Sequence, residues 1–106
     1  MTPRVDPERV LTALADARRR ELLELLAGGA DTSAGGLAAV LPVSRQAVAA
    51  HLAVLEDARL VTRRRAGRRV LFTLRSEGLT ATAAWLTARA AAWDREKDLA
   101  AQVKDA

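Results

Sequence analysis

The chain has 106 residues, enough for one hydrophobic core and a single domain over 1–106. Half of the residues are hydrophobic but only 3% are aromatic, and the excess of alanine and leucine suits packed helices better than a sheet-rich fold. Without cysteine there is no disulfide, thiol chemistry or thiolate metal site, and no apolar run is long enough for a membrane-spanning helix.

In chain order, MTPRVDPERV lacks the apolar stretch of a signal peptide, so the chain is expected in the cytoplasm. Asp6-Pro7-Glu8 starts a first helix, a capping Asp followed by Pro at the first helical position. That helix should run to about Leu14, with Val10, Leu11 and Leu14 on one face. Asp16 caps a second helix, whose apolar positions are Leu22, Leu23, Leu25 and Leu26 and which Gly28-Gly29 ends. Its first turn holds Arg18-Arg19-Arg20, cations placed against the positive end of the helix dipole. That placement favours a phosphate or carboxylate partner over a solvated role. Asp31-Thr32-Ser33 offers caps for a third helix containing Leu37, Val40 and Leu41, closed by Pro42. Ser44 caps a fourth, in which Val48, Leu52 and Leu55 recur at i, i+4 and i+7. The tight Pro42-Val43 connection makes helices three and four a helix-turn-helix over about 33–58.

From Leu60 the apolar period shortens to two. Val61, Arg63 and Arg65 alternate with polar neighbours, Ala66-Gly67 makes a turn, and Val70, Phe72 and Leu74 share one face of a returning strand. This is a β-hairpin over about 60–75 with a basic tip. Ser76 then caps the longest helix, Glu77 to about Lys104. The fold class is therefore mainly α with a small β-hairpin: five helices and a two-stranded wing.

Charge is distributed unevenly. Net charge is only +4, yet Arg59, Arg63, Arg64, Arg65, Arg68, Arg69 and Arg75 put +7 into residues 59–75, which contain no acidic residue. The remainder leans acidic, 10 basic against 13 acidic residues. A solvated face mixes signs; a block of one sign on an acidic body suits a polyanion.

A helix-turn-helix followed by a basic hairpin gives that polyanion a geometry. The second helix of the motif enters the DNA major groove, so it needs apolar residues inside and short or polar ones outside. Val48, Leu52 and Leu55 supply the inner face and leave Ser44, Arg45, Gln46, Ala49, Ala50 and His51 for the outer or flanking surface. Arg45 is suited to guanine, Gln46 to adenine, and Ala49 or Ala50 to a thymine methyl. Arg63, Arg64, Arg65, Arg68 and Arg69, with Arg19, are the candidates for phosphate, contacts that position a protein without reading sequence. His51, the one histidine, is as suited to packing as to DNA.

LADARRRELLELL at 14–26, SRQAVAAHLAVLEDARLV at 44–61 and RRAGRRVLFTL at 64–74 together resemble the ArsR/SmtB type of winged-helix repressor. The resemblance covers the chain from Val10 to about Leu99. It implies a homodimer that binds a palindromic double-stranded DNA operator, represses its own or a neighbouring operon, and lets go when an effector arrives. It also implies a dimer interface built from the first and last helices, here Val10, Leu14, Leu79, Leu86, Trp93 and Leu99, with residues 77–104 as the dimerisation helix. Nothing in the residues specifies the effector.

The departures from that pattern are local. Ala17-Arg18 stands where Pro-Thr is common, Ala49 where a Ser is usual, and Arg59 where glycine ends the recognition helix. The cysteine pairs and last-helix histidines of the metal-sensing branches are absent; Asp94, Glu96 and Asp98 have no nitrogen or sulfur partner, so no metal or other cofactor is expected. Trp85 followed by Trp93-Asp94 resembles a non-metal branch instead.

A competing reading is a winged-helix module that docks on protein or RNA without operator specificity, because Ala49 and Ala50 supply little direct readout. An enzyme is not supported: one His, no Cys, no Tyr, and a Gly35-Gly36 pair without the lysine of a phosphate loop.

Overall fold

The computed structural model describes residues 5–29 and 31–105, with side chains through 103. Met1–Arg4, Ala30 and Ala106 of the expected 1–106 domain lie outside the described residues. The order is α1 (Pro7–Leu14), α2 (Ala17–Ala27), α3 (Ala34–Ala38), α4 (Arg45–Asp57), β1 (Val61–Ala66), β2 (Arg69–Leu74) and α5 (Glu77–Asp105). Five helices and one antiparallel hairpin match the expected winged helix-turn-helix.

Local chemistry sets the helix starts. Asp6 accepts from the Glu8 amide, Asp16 from Arg18 and Arg19, Ser33 from Gly36, and Ser44 from Ala47. Each side chain satisfies amides that the first helical turn leaves without a partner. α3 is shorter than its sequence pattern suggests. It stops at Ala38, leaving Val40 exposed and Leu41 only packed against the core, because two glycines in five residues propagate a helix poorly.

The core is made where the first four helices and the wing base converge. Val10, Leu22, Val48, Leu52, Leu55, Leu60 and Val61 have no exposed surface, and Leu37 and Phe72 close the cluster. Leu11 and Leu25, expected on the inner faces of α1 and α2, are exposed. Ala13 takes the position beside Val10 instead.

α4 ends in a tight reversal. Arg59 sits at φ 65°, the Arg59 amide donates to Glu56 and the Leu60 amide to Leu55. This is the Schellman pattern, with buried Leu55 and Leu60 supplying its apolar contact. Arg59 is the only non-glycine residue among those described with a positive φ. Its side chain makes no hydrogen bond or ion pair among the described residues. A left-handed non-glycine residue costs about 1–2 kcal/mol. Arg59→Gly should therefore raise stability by about 1 kcal/mol, after allowance for the greater freedom of glycine in the unfolded chain. A urea midpoint that stays put or falls would show the backbone there to be unstrained.

The reversal also sets where α5 begins. A Cβ at Gly78 would lie 3.1 Å from Leu60 Cδ2, so glycine lets α5 start hard against the α4 exit. Beyond that start α5 leaves the body. Among its residues to 103 only Gly78 and Thr82 are buried, and the protomer measures 69 × 35 × 21 Å. Among the described residues no helix is long and apolar enough to cross a membrane.

Candidate nucleic-acid interface

α4 has the buried and exposed faces that its apolar spacing predicts. Val48, Leu52 and Leu55 are fully buried, while Arg45, Gln46, Ala49 and Ala50 are exposed on the other side. Ser44 is exposed too, but its Oγ is occupied by the Ala47 amide at 3.1 Å as the helix cap. Beside this face runs a groove of ≈ 420 Å³, walled by Arg45 and Ala49 of α4, by Gly35 and Gly36 of α3, and by wing residues including Arg68 and Arg69.

The wing is built one residue out of step with the expected turn. Ala66 pairs with Arg69 at the end of the ladder, so the two-residue loop is Gly67-Arg68. Gly67 has φ +64° and Arg68 is not left-handed, which fits a type II′ hairpin with its glycine in the first loop position. The shift puts Arg68 at the apex. Arg65, Arg68 and Arg69 are exposed and none has an ion-pair partner among the described residues.

Arg63 and Arg64, two of the seven arginines in residues 59–75, are already paired with carboxylates. Arg63 Nε donates to Glu56 Oε2 of α4 at 2.8 Å, and its guanidinium lies 5.5 Å from the centroid of the Phe72 ring, its cross-strand partner. Arg64 donates to Asp31 Oδ2 at 2.8 and 3.1 Å. Both stay half exposed, so each pair alone contributes little to stability.

Two further expectations change. Arg19 is not a free phosphate ligand: its side chain is 15% exposed and donates to the carbonyls of Ala13 and Thr12 at 2.8 and 3.1 Å. Arg20 likewise donates to the Leu14 carbonyl at 2.6 Å. Cations that oppose the dipole of α2 thus serve the C-terminal carbonyls of α1, where the dipole favours them. Arg18 pairs with Glu21. His51 is half-buried, with Nδ1 3.4 Å from Arg19 Nη1, which places it in the packing between α2 and α4. Hydrogen bonds from the Arg19 amide, and then from that of Arg18, hold the Asp16 carboxyl below the usual carboxylate range.

Of the residues assigned to the dimer, Val10 is fully buried in the protomer's own core and cannot meet a second chain. Leu14 is partly covered by the same core. Leu79, Leu86, Trp93 and Leu99 are exposed, and so are Leu11 and Trp85, which line one groove between α1 and α5. On α1 it is Leu11, not Val10, that is left outside the core. Among the described residues no cluster of three or more His, Asp or Glu is arranged to hold a metal.

Comparison with known proteins agrees with this geometry. A helix-turn-helix domain family matches residues 14–64. The HTH-type transcriptional regulator Rv2034 of Mycobacterium tuberculosis is 51% identical over 75 residues, covering 71% of this chain and 69% of its own length. The solved ArsR-like transcriptional regulator from Rhodococcus sp. RHA1 superposes with a TM-score of 0.79 at 40% identity, over 92% of this chain and 91% of that one. The chain belongs to the ArsR family of transcriptional regulators. A second relative, the transcriptional repressor SdpR of Bacillus subtilis, is 31% identical over 73% of this chain and 84% of its own length. As an ArsR-family member the chain is a helix-turn-helix DNA-binding regulator of transcription and not an enzyme.

Proposed function

We propose that this ArsR-family chain is a cytoplasmic, homodimeric repressor that binds a palindromic operator controlling its own or a neighbouring operon. The observation that carries the reading is the outward face of α4, Arg45-Gln46 with Ala49-Ala50, set beside a groove rimmed by Arg68 and Arg69. The alanines let the helix approach base edges closely, Arg45 and Gln46 offer bidentate contacts to guanine and adenine, and Arg65, Arg68 and Arg69 meet phosphate. Arg63 and Arg64 contribute less directly, since carboxylates already occupy them.

The short apolar pair Ala49-Ala50 is also what favours the second reading, a docking module without operator specificity. Fluorescence anisotropy separates the two, using a duplex selected by the wild-type chain from a randomised pool and a scrambled duplex of equal length. Gln46→Ala and Arg45→Ala should each cost about 1–3 kcal/mol on the selected duplex. For uncharged Gln46 the scrambled duplex should change little. Equal losses on both duplexes would move these residues to backbone positioning, and failure to select any sequence would leave the docking module.

A further inference from the structure

The wing of a DNA-binding protein is useful only if its angle to the recognition helix is fixed. A two-stranded ribbon does not fix its own angle; on its own it is marginally stable at best. Three consecutive residues ahead of α3 supply the constraint here. Thr32 exchanges both main-chain hydrogen bonds with Phe72, at 2.8 and 3.4 Å, so the segment adds an outer rung beside β2. Ser33 caps α3, which packs on the recognition helix. Between rung and ribbon stands Asp31, and its two carboxylate oxygens do different jobs. Oδ1 accepts from the Thr73 hydroxyl of β2 at 3.0 Å, while Oδ2 accepts twice from the Arg64 guanidinium of β1.

Arg64 and Thr73 lie on one face of the ribbon, since Thr62 pairs with Thr73 and Arg64 with Leu71. The opposite face carries Arg63, which Glu56 of α4 holds. Two carboxylates thus grip the wing from its two faces, Asp31 from the segment just before α3 and Glu56 from within α4.

We propose that Asp31 is a positioning residue for DNA binding: by gripping both strands of the wing it fixes the wing against α3 and holds Arg68 and Arg69 in register with the outward face of α4. The proposal rests on the DNA-binding reading above. The Arg64 and Thr73 hydrogen bonds also hold the Asp31 carboxyl below the usual carboxylate range, so the grip is intact at neutral pH.

A positioning role and a simple charge effect have opposite signs. Asp31 is an acid beside a phosphate-binding surface. If it acted only through charge, removing it would free Arg64 and strengthen binding to any DNA, with a steeper dependence on salt. If it positions the wing, Asp31→Ala should weaken binding to the selected duplex by about two- to fivefold, the range that one exposed ion pair can carry. Thr73→Val, which breaks only the neutral half of the grip, should do the same without changing charge. Backbone ¹⁵N order parameters at Gly67 and Arg68 should fall in both variants, while thermal midpoints stay close to wild type. A rise in affinity on both duplexes for Asp31→Ala, with Thr73→Val unchanged, would overturn the proposal and leave Asp31 as a shield for Arg64. If the wild-type chain selects no duplex at all, the DNA-binding reading is what has failed. The order parameters at the wing tip then still decide whether Asp31 holds the ribbon.

Discussion

Replacing Arg68 and Arg69 together by alanine should weaken binding to selected and scrambled duplexes by similar factors. The slope of log affinity against log salt should become shallower by about 0.9 for each phosphate no longer neutralised, about 1.8 if each arginine engages one. The reasoning is electrostatic. Both side chains are exposed at the wing tip with no ion-pair partner among the described residues, so on binding they displace counterions from DNA rather than exchange a carboxylate for a phosphate. Arg63→Ala and Arg64→Ala provide the internal contrast. Each removes a cation already neutralised by Glu56 or Asp31, so the salt slope should move less than for a tip arginine. Salt titrations by anisotropy measure all of these. If the double variant bound only the selected duplex more weakly and kept the wild-type slope, the wing would be reading bases or groove shape, and its phosphate role would be refuted.

That contrast marks the boundary between what is legible in the sequence and what is not. Helix starts are legible because they are local: Asp6, Asp16, Ser33 and Ser44 each cap amides within three residues of themselves. The inner face of α4 is legible because burial repeats with the helix period. The fates of the arginines are not. Arg64 finds its carboxylate 33 residues away and Arg9 finds Asp57 48 residues away, pairings that only the folded chain creates. Arg19 and Arg20 escape a sequence reading for the same reason. The sequence sets the three-arginine run against the dipole of the helix that contains it, whereas the relevant dipole belongs to α1, whose end the fold brings alongside. The Asp31-Thr32-Ser33 run reads in sequence as alternative caps for α3. Only Ser33 performs that task; Asp31 engages the wing through its carboxylate and Thr32 through its main chain.

The interface assignments divide along the same line. A periodic apolar helix shows that one stripe is covered, but not by which chain. On α1 the stripe through Val10 is covered by the protomer itself, and Leu11 is left outside. On α5 the chain covers Gly78 and Thr82 and leaves the distal half exposed.

Trp93→Glu should leave the chain folded, abolish the proposed dimer and remove tight binding to the selected duplex, although no residue of the DNA-facing surface is changed. Trp93 is 65% exposed, Leu99 61% and Val103 76%, on a helix that spans about 43 Å at 1.5 Å per residue. Because its own chain covers so little of that stretch, a glutamate there has no protomer packing to disturb. An exposed apolar arc of this length on a regulator is suited to a second copy related by a two-fold axis, which places identical surfaces face to face. In that pairing the new carboxylate is buried without a partner, a cost on the order of several kcal/mol. The consequence for DNA is geometric. A monomer reaches one half-site, whereas a two-fold dimer sets two copies of α4 about 34 Å apart, one helical turn along the duplex. Sedimentation equilibrium paired with a gel-shift titration reads both effects, and far-ultraviolet circular dichroism checks the fold. If Trp93→Glu sedimented as a dimer and bound as the wild type does, the pairing surface would exclude the distal half of α5. It would then rest on the α1 side of the helix, at the groove that Leu11 and Trp85 line.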